Sequence, residues 1–99
     1  MIFFDLNSST VISEGHKVLA PVAKALISQS KRVELRGHAD EREPAISLAK
    51  ARAEAVKAVL VEKGVSASRI VSIGEGATRP MAPGEKGSLN RRVEVFVEQ

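Results

Sequence analysis

The segment RGHADEREP (Arg36–Pro44) sets Asp40 behind a strand-like run and four residues ahead of Pro44, a residue suited to the first turn of a helix. An acidic side chain at such a mouth either closes a turn or holds something. Its basic counterpart lies in the helical stretch that follows. On a wheel of about 100° per residue, Ala45, Ala49, Ala53, Val56 and Leu60 form the centre of an apolar arc, with Leu48 and Val59 along one edge. Arg52 falls between that edge and the centre, whereas Lys50, Glu54 and Lys57 turn away. A guanidinium near a packed face must snorkel to water or find an anion. Helical side chains lean toward the N-terminus, so Arg52 leans back toward the loop that holds Asp40. Two readings follow. One is a structural Arg52–Asp40 salt bridge or a snorkelling arginine. The other is an acid and a base that together grip a zwitterion, Asp40 taking an ammonium and Arg52 a carboxylate on its planar fork.

A second basic cluster, Asn90-Arg91-Arg92, opens the last strand-like run. Neighbouring residues on a strand point to opposite faces. One arginine is therefore expected to reach across the sheet end while the other stays in water.

Other chemistries find little support. The chain has no Cys, which excludes disulfides, thiol nucleophiles and Cys-ligated zinc, and its two His make no metal set. Neither a nucleophile with its base nor a carboxylate pair is visible, and GEGATRP lacks the helix and lysine of a phosphate loop, so no enzyme and no cofactor is expected. The net charge of +3 is too mild to demand a nucleic-acid partner, and three Phe without Tyr or Trp offer few stacking platforms. No apolar run approaches the roughly 20 residues that cross a bilayer.

The elements that must position these residues follow from periodicity. With 43% hydrophobic and 27% charged residues, 99 residues suit one folded domain. MIFFDL predicts a strand with Ile2, Phe4 and Leu6 on one face. Helical spacing begins at Ser13-Glu14 and carries Val18, Leu19, Val22, Ala23, Leu26 and Ile27 inward, with Pro21 marking a kink or a late start. RVELRG predicts a second strand, Pro44 to Lys63 a long helix ended by Gly64, and RIVSIG a third strand. EGATRPMAPGEKGS is a loop, and RRVEVFVEQ a final strand with Val93, Val95 and Val97 inward. The expected fold is α+β: a two-layer βαβαββ domain with two helices on one face of a mixed four-stranded sheet.

FFDLNSS, VELRGHAD, LAKARAEAVKAVLVEKGVSASRIVSIGEGATRP and NRRVEVFV, in that order, resemble the OmpA-like domain found in OmpA-type porins, Pal lipoproteins, flagellar stator proteins and some secretion-system components. The resemblance covers nearly the whole chain. It implies noncovalent peptidoglycan binding that anchors a bacterial envelope protein to the cell wall. By resemblance, Asp40 and Arg52 clasp the diaminopimelate of the stem peptide, Arg91 supports and Asn90 orients, and Gly37 and His38 are structural. It also implies a periplasmic location, a domain (1–99) cut from a larger envelope protein, and membrane contact only through segments outside this chain.

The chain departs from the family pattern around the site. Its loop between Asp40 and Arg52 is shorter by roughly three residues, a change loops tolerate. The usual Tyr-Asn falls at Pro44 and Ala45, the glycine after the Asp gives way to Glu41-Arg42-Glu43, and Gly87 stands where a basic residue is usual. A domain with weak or no wall binding, serving protein assembly in an envelope or secretion complex, is the alternative expectation. If Arg52 meets ligand, Arg52→Ala costs binding more than stability.

Overall fold

Val33 and Leu35 are buried while Glu34 and Arg36 stay partly exposed, and this alternation runs through the central strand of the computed structural model, which describes residues 1–77 and 89–98. The elements are β1 (Ile2–Phe3), α1 (Ser13–Ser28), β2 (Val33–His38), α2 (Ala45–Glu62), β3 (Ile70–Gly76) and β4 (Arg92–Val97), with a 3-10 turn at Ala67–Arg69. The sheet order is β1-β4-β2-β3, with β2 and β3 parallel and the other pairs antiparallel. Parallel neighbours need a crossover, and α2 supplies it. This is the expected two-layer α+β arrangement, in which both helices cover one sheet face.

The core on that face joins Leu19, Ala23 and Leu26 of α1 to Ala53, Val56 and Leu60 of α2 over Val33, Leu35 and Val93. Buried residues of α2 fall at Ala49, Arg52, Ala53, Val56, Val59 and Leu60, the three- and four-residue spacing of one helical stripe. Arg52 lies inside that stripe. The helix sits close to the sheet because Gly37 lacks a side chain: a Cβ there would lie 1.9 Å from the Ala49 carbonyl oxygen. At its other end Gly64 takes φ +107°, and the Val65 amide reaches the Leu60 carbonyl at 3.0 Å while Gly64 reaches Val61 at 2.9 Å. Those two bonds satisfy terminal carbonyls in a Schellman arrangement.

Four details differ from the sequence-based expectation. α1 runs unbroken from Ser13 to Ser28 with Pro21 inside it. Pro21 is on the exposed side, where the Lys17 carbonyl it leaves without an amide can meet water. The buried stripe of α1 is also narrower, because Val18 and Ile27 are exposed. β1 is only two residues long, and Leu6 is exposed rather than inward. The chain leaves the sheet there to turn at Asn7 (φ 57°), for a reason found in the site below. Along β4 burial fades from Val93 through Val95 to Val97, and β1 pairs with this strand only at Arg92 and Val93. Most of the loop expected over residues 75–88 lies outside the described residues.

Candidate functional site

Five segments converge at one end of the sheet: the turn after β1, the end of β2, the loop 39–44, the second turn of α2, and Asn90–Arg91 ahead of β4. Asp40 follows β2 and is held in place when its own carbonyl accepts the Glu43 amide at 3.0 Å. Its carboxylate is almost wholly buried, at 1% exposure. Arg42 curls back onto it, its backbone amide donating at 2.8 Å, Nη2 at 2.7 Å and Nε at 3.1 Å. Arg91 arrives from the other side, its Nη1 donating to Oδ2 at 3.2 Å while its Nε donates to the Phe4 carbonyl at 2.9 Å. The bonds from Arg42 and then from Arg91 hold the Asp40 carboxyl far below the usual carboxylate range, against the opposing effect of burial.

Arg52 does not meet Asp40. Its guanidinium has no exposed surface and forms a two-bond fork with Glu43, Nη1 to Oε1 at 2.7 Å and Nη2 to Oε2 at 2.5 Å. The remaining donors go to backbone carbonyls: Nε to Ser8 at 2.9 Å, Nη1 to His38 at 3.1 Å, and Nη2 to Asp5 at 3.1 Å. The ring of Phe4 stacks beneath, its centroid 5.4 Å from the guanidinium carbon. This explains the short first strand, because the chain leaves the sheet to bring the Asp5 and Ser8 carbonyls around a buried cation.

Glu43 is satisfied as thoroughly. Besides Arg52 it accepts the Asp40 amide at 2.9 Å and the Asn7 amide at 2.7 Å. Burial pushes its carboxyl up, yet Arg52 and the two amides outweigh that and the net shift is downward. An Arg52–Asp40 salt bridge was one of the two readings of the sequence. Two separate pairs are found instead, Arg52 with Glu43 inside and Asp40 with Arg42 and Arg91 at the rim.

Of the four candidate residues, Asp40 and Arg91 are in direct contact, Asn90, next to Arg91 in sequence, is buried at 5% exposure, and Arg52 stands one layer behind. Arg91 reaches across the sheet end as expected. Arg92, expected in water, is instead 4% exposed and pairs with Glu94 at 3.7 Å. That corner also holds His38, whose Nε2 lies 2.6 Å from Glu94 Oε1. Burial and then the Arg92 charge lower the His38 pKa, partly offset by Glu94. The sequence offered Glu41 and Glu43 alike as internal partners for Arg52, and it gave no sign of Asp5, Asn7 and Ser8, whose backbone groups complete the pair. Arg91 also borders a hollow of about 280 Å³ lined by Phe3, Phe4, Asp5, Ile12 and Leu89. Among the described residues no group of three acidic or His side chains is arranged to hold a metal ion.

The fold is that of a family. The OmpA family model matches residues 3–94, and the chain belongs to that family. It is 41% identical over 86 residues to a peptidoglycan-associated lipoprotein of Mesorhizobium japonicum, an alignment covering 82% of this chain and 51% of that protein. The crystal structure of the peptidoglycan-associated lipoprotein from Burkholderia pseudomallei superposes with a TM-score of 0.92 at 28% identity, over 98% of this chain and 88% of that one. The cell wall anchor of the T6SS from Pseudomonas aeruginosa gives 0.80 at 31% identity, over 94% and 72%. The chain spans about half the length of the Mesorhizobium relative and less of a Pseudomonas fluorescens outer membrane porin F, of which it covers 31%. Membership makes this a non-catalytic structural domain of the bacterial envelope, on the periplasmic side.

Proposed function

We propose that the domain binds peptidoglycan noncovalently through the diaminopimelate of the stem peptide and so anchors an envelope protein to the cell wall. The observation that carries this reading is the Asp40 carboxylate, ionised, buried and approached from the rim by an exposed Arg42 and by Arg91. A ligand ammonium displaces Arg42 and takes Asp40. Its carboxyl end meets Arg91, Asn90 orients the contact, and the peptide chain lies toward the hollow beside Arg91. Arg52 floors the site by holding Glu43, and its fork is open to a ligand carboxylate only if Glu43 leaves. Wall-associated relatives at 41% and 31% identity support the same reading.

One observation favours the second reading, an assembly module with weak wall binding. Both charged partners of the expected clasp are already engaged within the chain, and breaking internal pairs lowers ligand affinity. Co-sedimentation with insoluble peptidoglycan separates the two. Wall binding predicts that the domain pellets and that Asp40→Asn abolishes pelleting while keeping the fold. A folded wild-type domain that stays in the supernatant would leave the assembly reading in front.

A further inference from the structure

Arg42 and Glu43 are neighbours in sequence, and they present a cation to Asp40 and an anion to Arg52. That is the charge order of a zwitterion, supplied by the protein's own loop. The two halves differ in how firmly they are held. The Arg42 side chain is 58% exposed, and an ion pair with one end in water is held weakly against a competing cation. The Glu43 and Arg52 side chains have no exposed surface. All five guanidinium N–H groups are used, on Ser8, His38, Asp5 and both Glu43 oxygens, and Glu43 also carries the amides of Asp40 and Asn7. Removing Glu43 would strand a buried cation together with the buried Asp40 amide, and the Asn7 amide would lose its acceptor.

We infer that Glu43 permanently occupies the carboxylate position on Arg52, so that this site selects an amine and is nearly indifferent to whether the adjacent carboxyl of the ligand is free, amidated or missing. The inference rests on the Asp40-centred reading above and specifies its ligand class. The cation left for the ligand's other end is Arg91. It lies at the rim, its side chain is 15% exposed, and it is already shared with Asp40 and the Phe4 carbonyl. A rim contact of that kind discriminates a carboxylate from an amide only modestly.

The test uses three soluble stem tripeptides that differ at the third residue: meso-diaminopimelate, the same residue amidated at its distal carboxyl, and lysine. Each is titrated into the domain by NMR. Wild type is expected to bind all three with dissociation constants within about fivefold, the reach of an exposed ion pair. Glu43→Ala removes both the charge and the side chain that fills the position, which opens Arg52 to an outside carboxylate. Preference for the free acid should then rise to roughly tenfold or more, the worth of one charge-assisted bond. A tenfold preference for the free acid in wild type would overturn the inference and leave wall binding intact, as would a folded Glu43→Ala domain that gains no preference. Should that variant not fold, the three wild-type affinities decide. Binding of none of the three to wild type would defeat the wall-binding reading, and the inference with it.

Discussion

Arg52 is the largest of the fully buried side chains and carries a charge, so its neighbours decide what replacing it does. Had it faced ligand, truncation would mainly have cost binding. With the guanidinium locked on Glu43 and three carbonyls, truncation leaves the Glu43 carboxylate buried without its cation. Losing one partner of a buried pair costs about 3–5 kcal/mol, a large share of the 5–15 kcal/mol that holds a domain together. Arg52→Ala is therefore expected to lower the melting temperature by roughly 15–30 °C, or to prevent folding. Adding Glu43→Gln to Arg52→Ala should restore part of that loss, because the uncompensated charge goes while an oxygen remains for the Asp40 and Asn7 amides. Thermal melts of Arg52→Ala and of the Arg52→Ala/Glu43→Gln pair check this. If the double variant is no more stable than the single one, burial of an unpaired carboxylate is not what Arg52 prevents.

At the scale of elements, the position of α2 decides where the site residues lie. The helix rests on β2 at Gly37, where its Ala49 carbonyl occupies the space a side chain would need. That contact sets Arg52, three residues further along, against the loop that leaves the end of β2. A methyl group at Gly37 meets helix backbone rather than the flexible end of a side chain, so the helix must move away from the sheet. Gly37→Ala is expected to destabilise at or above the upper end of the roughly 1–3 kcal/mol typical of overpacking. A denaturant titration measures this directly, and a change below 1 kcal/mol would show that α2 shifts freely over β2.

For the whole molecule, the buried charges predict a particular response to acid. His38 has a lowered pKa, so the unfolded chain takes up its proton first. That contribution is fully present above about pH 6.5 and declines as the pH falls below it. Asp40 and Glu43 have lowered carboxyl pKa values, so their contribution is present above about pH 4 and is lost as the pH falls toward their folded values. The melting temperature should decline gently below about pH 6.5 and steeply below about pH 4. His38→Asn should remove the first stage and leave the second. Melting curves from pH 2 to 8 test both, and a melting temperature that rises between pH 6.5 and 4 would contradict the His38 assignment.

Order and type of the elements were legible in the chain because the two periodicities, 2 and about 3.6, are local properties of sequence. Val33 and Leu35 against Glu34 and Arg36, and the stripe from Ala49 to Leu60, needed no distant partner to be recognised. The ordered motifs from GHAD to NRRV carried the family, and the position of Arg52 beside its apolar stripe marked it as a charge that had to reach water or find an anion. Which anion was a question only the tertiary structure decided. Asp40 and Glu43 are three residues apart, both acidic and both before α2, and no periodicity separates them. The choice depends on the path of the loop, on the Ser8 and Asp5 carbonyls brought in from 44 and 47 residues away, and on the Arg42 side chain folding back over Asp40. Arg92 was misplaced in water for the same reason, because its burial beside Glu94 and His38 comes from strand packing. Charge pairing is set by three-dimensional proximity and desolvation, and neither can be read from spacing along the chain.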